Sequence, residues 1–246
     1  MLEECCKLLD HLLENNSPDN STLINKINEA IKVIKSAYEK YPNNKICVSF
    51  NGGKDSTILL FLIYFCVKKF NFPLPKLIYI DTGNIFEEMN SFVNEFIKMI
   101  TDCDDVSKVM IRKNGKLKDK LTEIINENRN LTACFMGSRS SDPYCQNLEF
   151  FTPTNNDWPE LMRIMPLLKY TNSEIWTLLT SIKLPYCTLY DQGYTSIGGV
   201  NDTKKNPTLE IRDPVTNLVT GHKPAYLMVF DETERAGRKT STTKGD

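Results

Sequence analysis

Apolar positions early in the chain recur every three or four residues: Leu8, Leu9, Leu12 and Leu13, then Leu23, Ile24, Ile27, Ala30, Ile31, Val33, Ile34 and Ala37. That period predicts two amphipathic helices, over 2–15 and 22–40, joined by the polar stretch Asn15-Asn16-Ser17-Pro18-Asp19-Asn20. From Lys45 the pattern changes to short apolar runs alternating with helical ones. Strands are predicted at 46–50, 77–80, 106–111 and 133–136, and helices at 55–69, 86–100 and 116–128. Such alternation predicts a parallel twisted sheet flanked by helices, an α/β fold. Beyond residue 140 the pattern is irregular and richer in proline, apart from a helix over 172–182 that the capping-box spacing Thr171-x-x-Glu174 opens. The expected organisation is amino-terminal helices over 1–41 packing on the core, an α/β catalytic domain over 42–238 with an irregular carboxyl-terminal substrate region, and a flexible tail over 239–246.

The strand at 46–50 runs into Ser49-Phe50-Asn51-Gly52-Gly53-Lys54-Asp55-Ser56 and from there directly into an apolar helix. Two glycines let backbone approach a ligand closely, and the first N–H groups of the helix have no partner within it. With the positive end of the helix dipole these donors suit an anion. Lys54 adds a point charge, Asp55 a carboxylate for a metal, and Ser56 a hydroxyl. A Walker A loop is excluded, because position 48 is Val and Asp55 follows Lys54. The segment instead resembles the Ser-Gly-Gly-x-Asp-Ser pyrophosphatase loop of the adenine nucleotide α-hydrolase-like families, a modified Rossmann fold, which break ATP between its α- and β-phosphates. Ligands of open parallel sheets bind beyond the carboxyl ends of strands. Asp81-Thr82-Gly83-Asn84 and Gly137-Ser138-Arg139 are expected at that same edge.

Composition narrows the partners. The 246 residues carry 30 basic and 31 acidic side chains and 41% hydrophobic residues, enough for a buried core and without the basic excess of most nucleic-acid binders. Eight cysteines lack any Cys-x-x-Cys pair or histidine cluster, which disfavours zinc; several sit in apolar runs and read as reduced core residues. The acidic start Met1-Leu2-Glu3-Glu4 does not read as a targeting signal, and the longest apolar run, Ile58 to Val67, is far short of the ~20 residues a membrane span needs. A cytoplasmic protein with neither nucleic-acid nor membrane partners is expected, and a monomer is compatible with these properties.

A second set of segments carries further chemistry. Gly137-Ser138-Arg139-Ser140-Ser141-Asp142-Pro143-Tyr144 contains a second candidate metal ligand, Asp142, and in Arg139 a candidate phosphate partner. Asp157-Trp158-Pro159 with Arg163, the run Tyr190 to Gly198, and Glu234-Arg235-Ala236-Gly237-Arg238 follow. In combination, over roughly 45–240, these motifs resemble the eukaryotic FMN adenylyltransferases, or FAD synthetases, relatives of the phosphoadenylyl sulfate reductases. The resemblance implies transfer of AMP from ATP to FMN, giving FAD and pyrophosphate with Mg²⁺. It implies that Ser49, Asn51, Gly52, Gly53, Lys54, Asp55 and Ser56 hold the ATP phosphates, that Asp55 and Asp142 stand near Mg²⁺, and that Arg235 and Arg238 serve the transferred phosphate and flavin. Asp157, Trp158 and Arg163 would lie at the FMN end, with Arg139 at a phosphate and the Ile80-Asp81-Thr82 backbone at adenine. Asn51 stands where the wider superfamily has Gly, which favours the flavin branch; the extra molybdopterin-binding-like domain of animal relatives has no room, so a stand-alone synthetase is expected.

This chemistry asks for no general base, since the second pKa of a phosphate monoester is about 6 and the attacking oxygen is already ionised at neutral pH. His11 and His222 lie outside all motifs and read as structural or surface residues. The competing readings are a phosphoadenylyl sulfate reductase-like enzyme, which needs a cysteine near the carboxyl terminus where none follows Cys187, a tRNA-modifying enzyme of the same superfamily, and a non-catalytic nucleotide-binding protein.

Overall fold

A computed structural model describes residues 1–15 and 21–239. The polar stretch 16–20 and the tail 240–246 lie outside the described residues. The two amino-terminal helices are present as α1 (Leu2–Glu14) and α2 (Ser21–Lys40), whose buried faces follow the expected spacing and join the main hydrophobic core. Lys26 of α2 reaches Glu174 at 2.6 Å, tying this layer to the late helix.

Strands β1 (Ile46–Ser49), β2 (Lys76–Asp81), β3 (Met110–Asn114) and β4 (Ala133–Phe135) alternate with helices α3 (Lys54–Phe70), α4 (Glu87–Thr101) and α5 (Leu117–Glu127). Ile46, Cys47 and Val48 are all buried, as a central strand covered on both faces demands. Helix α3 is apolar nearly all round because it is enclosed, with Ile58 to Ile63 fully buried. Strand β3 starts four residues later than the expected 106, because Val106–Lys108 forms a 3-10 turn. The true strand, Met110-Ile111-Arg112-Lys113-Asn114, is at the sheet edge, where one exposed side tolerates charge and dilutes the apolar signal.

The region expected to be irregular completes the sheet with β5 (Phe151–Pro153) and β6 (Met162–Ile164). Strand β6 pairs parallel with β4, and β5 antiparallel with β6, giving the order β3-β2-β1-β4-β6-β5. Helix α6 (Asn172–Ser181) carries the complete capping box: Thr171 Oγ1 accepts from the Glu174 N–H and Glu174 Oε2 from the Thr171 N–H. A separate hairpin, β7 (Glu210–Arg212) with β8 (Val219–His222), precedes the carboxyl-terminal segment. Strand β1 has β2 on one side and β4 on the other, so the chain reverses its winding between β1 and β4. Their carboxyl ends form the crevice in which such sheets bind ligands.

Candidate active site

The loop after β1 is held open by its own polar groups. Gly52 adopts φ +77°, and a side chain there would strike Met89 and Val93 of α4. Asn51 Oδ1 accepts from the Gly53 N–H (3.0 Å) and from Ser56 Oγ (2.8 Å), so its carbonyl braces the turn. Its Nδ2 has no partner among the described residues and is the part able to meet a phosphate. Thr57 is the first residue whose N–H bonds back into the helix, to Gly53 O at 2.9 Å. The Lys54 N–H donates to Tyr190 Oη at 2.9 Å, leaving the N–H groups of Asp55 and Ser56 as the orphan donors of the first turn.

Gly137, after β4, lies directly against this turn: a methyl group on it would come within 2.9 Å of Ser56 N and 3.0 Å of the Asp55 carbonyl carbon. Both obstacles are backbone and cannot rotate away. Gly137→Ala is accordingly expected to cost about 1–3 kcal/mol of stability and to displace the phosphate loop. Urea unfolding together with nucleotide titration measures both effects.

Lys54 and Arg139 depart from the sequence expectation. Each is only 2% exposed, and neither faces an open phosphate site. Lys54 Nζ is bound by Asp55 Oδ2 at 2.9 Å and by Glu234 Oε1. Arg139 Nη2 donates to both oxygens of Glu234 (2.8 and 2.6 Å), while its Nε lies 2.7 Å from Asp55 Oδ1 as an ion pair off hydrogen-bond alignment. Burial pushes the Lys54 ammonium toward deprotonation, but Asp55 and Glu234 outweigh it and hold it above its usual range. The Arg139 backbone N–H donates to Asp142 Oδ2 at 2.8 Å, so the two expected metal ligands converge on opposite ends of one arginine. Burial pushes the Asp142 carboxyl up from its usual range, against the Arg139 N–H and guanidinium. Three carboxylates, Asp55, Asp142 and Glu234, thus surround two cations, leaving one excess negative charge when all are ionised.

Glu234 is the group that reading by motif overlooked, although it opens the Glu-Arg-Ala-Gly-Arg segment. Only 7% exposed, it fastens that segment to the phosphate loop across most of the chain length. The run Tyr190 to Gly198 completes the seam. Thr195 Oγ1 donates to Glu234 O (2.6 Å), Ser196 Oγ accepts from Arg235 Nη1 (3.4 Å), and the Arg238 guanidinium lies on Gly198. Fully buried Asn206 donates to both Thr195 Oγ1 and Thr233 O. Arg235 is exposed, and Arg238 is half-buried with Asp202 at 3.6 Å.

The remaining expected residues are spread more widely. Ser49 ends β1, and Asp81 ends β2, where its main-chain carbonyl is already taken by the Gly115 N–H and its carboxylate by the Gly83 N–H (2.8 Å). Asp81 nevertheless lines a cleft of about 620 Å³ that runs along Thr82, Gly83 and Asn84 to Asn90 and Gly115. Asp157 is an exposed partner of Lys118 (3.0 Å), and half-buried Trp158 sits in the same β5–β6 connection; neither is hydrogen-bonded or ion-paired to the phosphate loop. Arg163 Nη2 donates to Pro153 O (2.9 Å), binding β6 to β5. Strand β6, which carries Arg163, pairs with β4, so Arg163 lies on the β4 side of the sheet, as does the loop that carries Asp142. His11 pairs with Asn15 on the surface, and His222 packs on Gly193, both apart from the chemistry.

A glycine-containing turn at the switch point of a mostly parallel sheet, with two carboxylates beside it, defines the class: an α/β domain of the adenine nucleotide α-hydrolase-like kind. The phosphoadenosine phosphosulfate reductase domain model matches residues 45–205. The chain is 32% identical to a probable FAD synthase of Schizosaccharomyces pombe, over 98% of this chain and 89% of that protein. It is 34% identical to a probable FAD synthase of Caenorhabditis elegans, over 90% of this chain but only 42% of that longer protein. The fold superposes on the crystal structure of Candida glabrata FMN adenylyltransferase with a TM-score of 0.83, at 23% identity and covering 98% and 97% of the two chains. The chain belongs to the phosphoadenosine phosphosulfate reductase domain family and, within it, to the FAD synthases.

Proposed function

We propose that this protein is an FMN adenylyltransferase: it transfers AMP from ATP to the 5′-phosphate of FMN, producing FAD and pyrophosphate. The observation that carries this reading is the convergence at one sheet edge of the Asn51–Ser56 turn, the carboxylates of Asp55 and Asp142, and the Arg235/Arg238 segment fastened there by Glu234. Relatives named FAD synthase support it, as does a Candida glabrata FMN adenylyltransferase of the same fold solved with FMN and an ATP analogue.

Mg²⁺ fits the donor set. Asp55 Oδ1 is a buried oxygen whose one close partner is the off-alignment ion pair with Arg139 Nε, and Asp142 supplies a second hard carboxylate on the other side of Arg139. Among the described residues no three acidic, histidine or cysteine side chains group as a metal cage, so phosphate oxygens and water would complete the shell, as Mg²⁺ prefers. The excess negative charge of the cluster would otherwise repel a triphosphate. When bound, the ion supplies Lewis-acid stabilisation of the phosphates. The protein's own part is positioning. The Asp55 and Ser56 N–H groups and Asn51 Nδ2 orient the ATP phosphates, and Lys54 and Arg139 act indirectly by fixing the two carboxylates. Arg235 and Arg238 meet charge building at the transferred phosphate, for which planar bidentate donors are suited. Trp158 and Arg163 would serve the FMN end. The eight unpaired cysteines suit a reducing compartment such as the cytoplasm. Cys187, the last of them, is buried with its thiol pushed up by burial, and offers no nucleophile for reductase chemistry.

Incubation with FMN, ATP and Mg²⁺ should yield FAD and pyrophosphate in equal amounts by chromatography; absence of FAD would reject the assignment. In the same assay Arg235→Ala and Arg238→Ala are each expected to lower kcat by roughly 10²-fold, about 3 kcal/mol, with a smaller change in ATP binding. Kinetics unchanged in both variants would make the segment a passive strap.

A further inference from the structure

Arg238 is held in place without the use of its donors. Among the described residues its guanidinium makes no hydrogen bond, although Nε is buried. It lies instead on the main chain of Gly198, where a methyl group would overlap Nη1, Cζ and Nη2 alike, and its Nη2 stands 3.6 Å from Asp202 Oδ1. That separation is too long for a hydrogen bond and still attracts. Gly198 is absent from the glycines with positive φ, so the contact with Arg238, and not backbone conformation, is what a side chain there would disturb.

The loop that supplies both contacts is itself fixed. The Gly198 N–H donates to Thr203 Oγ1 (3.0 Å), and Thr203 Oγ1 donates in turn to Asp202 Oδ1 (2.9 Å), so the carboxylate is aimed by its neighbour. Main-chain bonds from the Lys239 N–H to Asp202 O (3.0 Å) and from the Lys204 N–H to Gly237 O (2.9 Å) stitch the loop to the segment that carries Arg238. Within the same loop the Val200 N–H donates to Asn84 O (2.6 Å), in the connection that follows β2. Asp202 thereby lines a cavity of about 390 Å³ with Thr82, Gly83, Asn84, Gly199 and Asn201, beyond the carboxyl end of β2. We propose that Gly198 and Asp202 are positioning residues for adenylyl transfer: together they form a seat that holds the Arg238 guanidinium at the crevice with its donors unspent. The proposal rests on the adenylyl-transfer reading and on Arg238 serving the transferred phosphate. A loose arginine samples many rotamers, and ordering it during the reaction would raise the barrier. Asp202 attracts the cation through space while the planar fork stays open to phosphate oxygens.

The test uses Asp202→Asn, which keeps the oxygen that accepts from Thr203 and removes only the charge, and Gly198→Ala, which displaces the guanidinium. Melting temperatures near that of wild type are expected for both. The kcat for FAD formation is expected to fall on the order of tenfold in each, less than in Arg238→Ala, while the KM for ATP does not rise. A double-mutant cycle separates positioning from a merely structural role. In the Arg238→Ala background neither substitution should lower kcat further, because the group they position is gone. A loss of the same factor in both backgrounds would overturn the proposal, as would a wild-type kcat in either single variant. A wild-type protein that makes no FAD would reject the transferase reading, and with it any seat for this reaction; FAD formation with independent losses would reject the seat alone.

Discussion

Asp55→Asn and Asp142→Asn should each lower kcat for FAD formation by about 10²- to 10³-fold, a loss of roughly 3–4 kcal/mol of transition-state stabilisation. Asparagine is the informative substitution. Asp55 ion-pairs with both Lys54 and Arg139, so either substitution removes a charge partner from two buried cations, and alanine removes their hydrogen-bond acceptor as well. Asparagine keeps the shape and a carbonyl oxygen while removing the charge that a divalent cation needs. Steady-state rates measured across a Mg²⁺ series, with circular dichroism as the control for folding, test the assignment. The requirement for Mg²⁺ should shift upward in both variants. Turnover near that of wild type in both, at low Mg²⁺, would remove these carboxylates from the metal site.

Glu234→Gln carries the largest expected effect on stability. The carboxylate compensates two cations that are each 2% exposed, and breaking a buried pair by removing one partner costs about 3–5 kcal/mol. Asp55 remains beside both cations, so the lower end of that range is expected. In urea unfolding the midpoint should fall with little change in slope. Activity should fall with it, because the same carboxylate anchors the segment that brings Arg235 and Arg238 to the crevice. Limited proteolysis supplies a second readout: cleavage within 231–239 should accelerate in the variant under native conditions. A midpoint within about 0.5 kcal/mol of wild type, the range of an ordinary surface change, would show that Glu234 is not the clasp.

Much of the fold was legible in the chain because its signals are local. The enclosed helix after the phosphate turn reads as an unbroken apolar run, the amino-terminal pair as a three-to-four period, and the start of α6 as a capping box. Strand β3 was misplaced because an edge strand need bury only part of its surface: its apolar residues Met110 and Ile111 stand at its start, and Val106 in the preceding 3-10 turn extends the apolar signal upstream. Strands β5 and β6 were missed because three residues are too few to establish any period; only pairing with β4 makes them strands.

The site divides in the same way. Sequence alone determined that Asn51 to Ser56 form a glycine-containing turn between a strand and a helix, that a second carboxylate follows β4, and that an arginine pair lies near the end of the described chain. A short turn's conformation and the orphan donors of a helix are properties of neighbouring residues, so they can be read in order. Which of those charges face a ligand and which neutralise one another was decided only by the tertiary structure. Lys54 and Arg139 resembled phosphate ligands until folding brought Glu234 between them, and Asn51 became a brace for its own loop as well as a donor. The physical reason is that Coulomb attraction and desolvation depend on distance in space. A carboxylate that is remote along the chain but in contact within the fold can therefore claim a cation that local sequence assigns to the substrate.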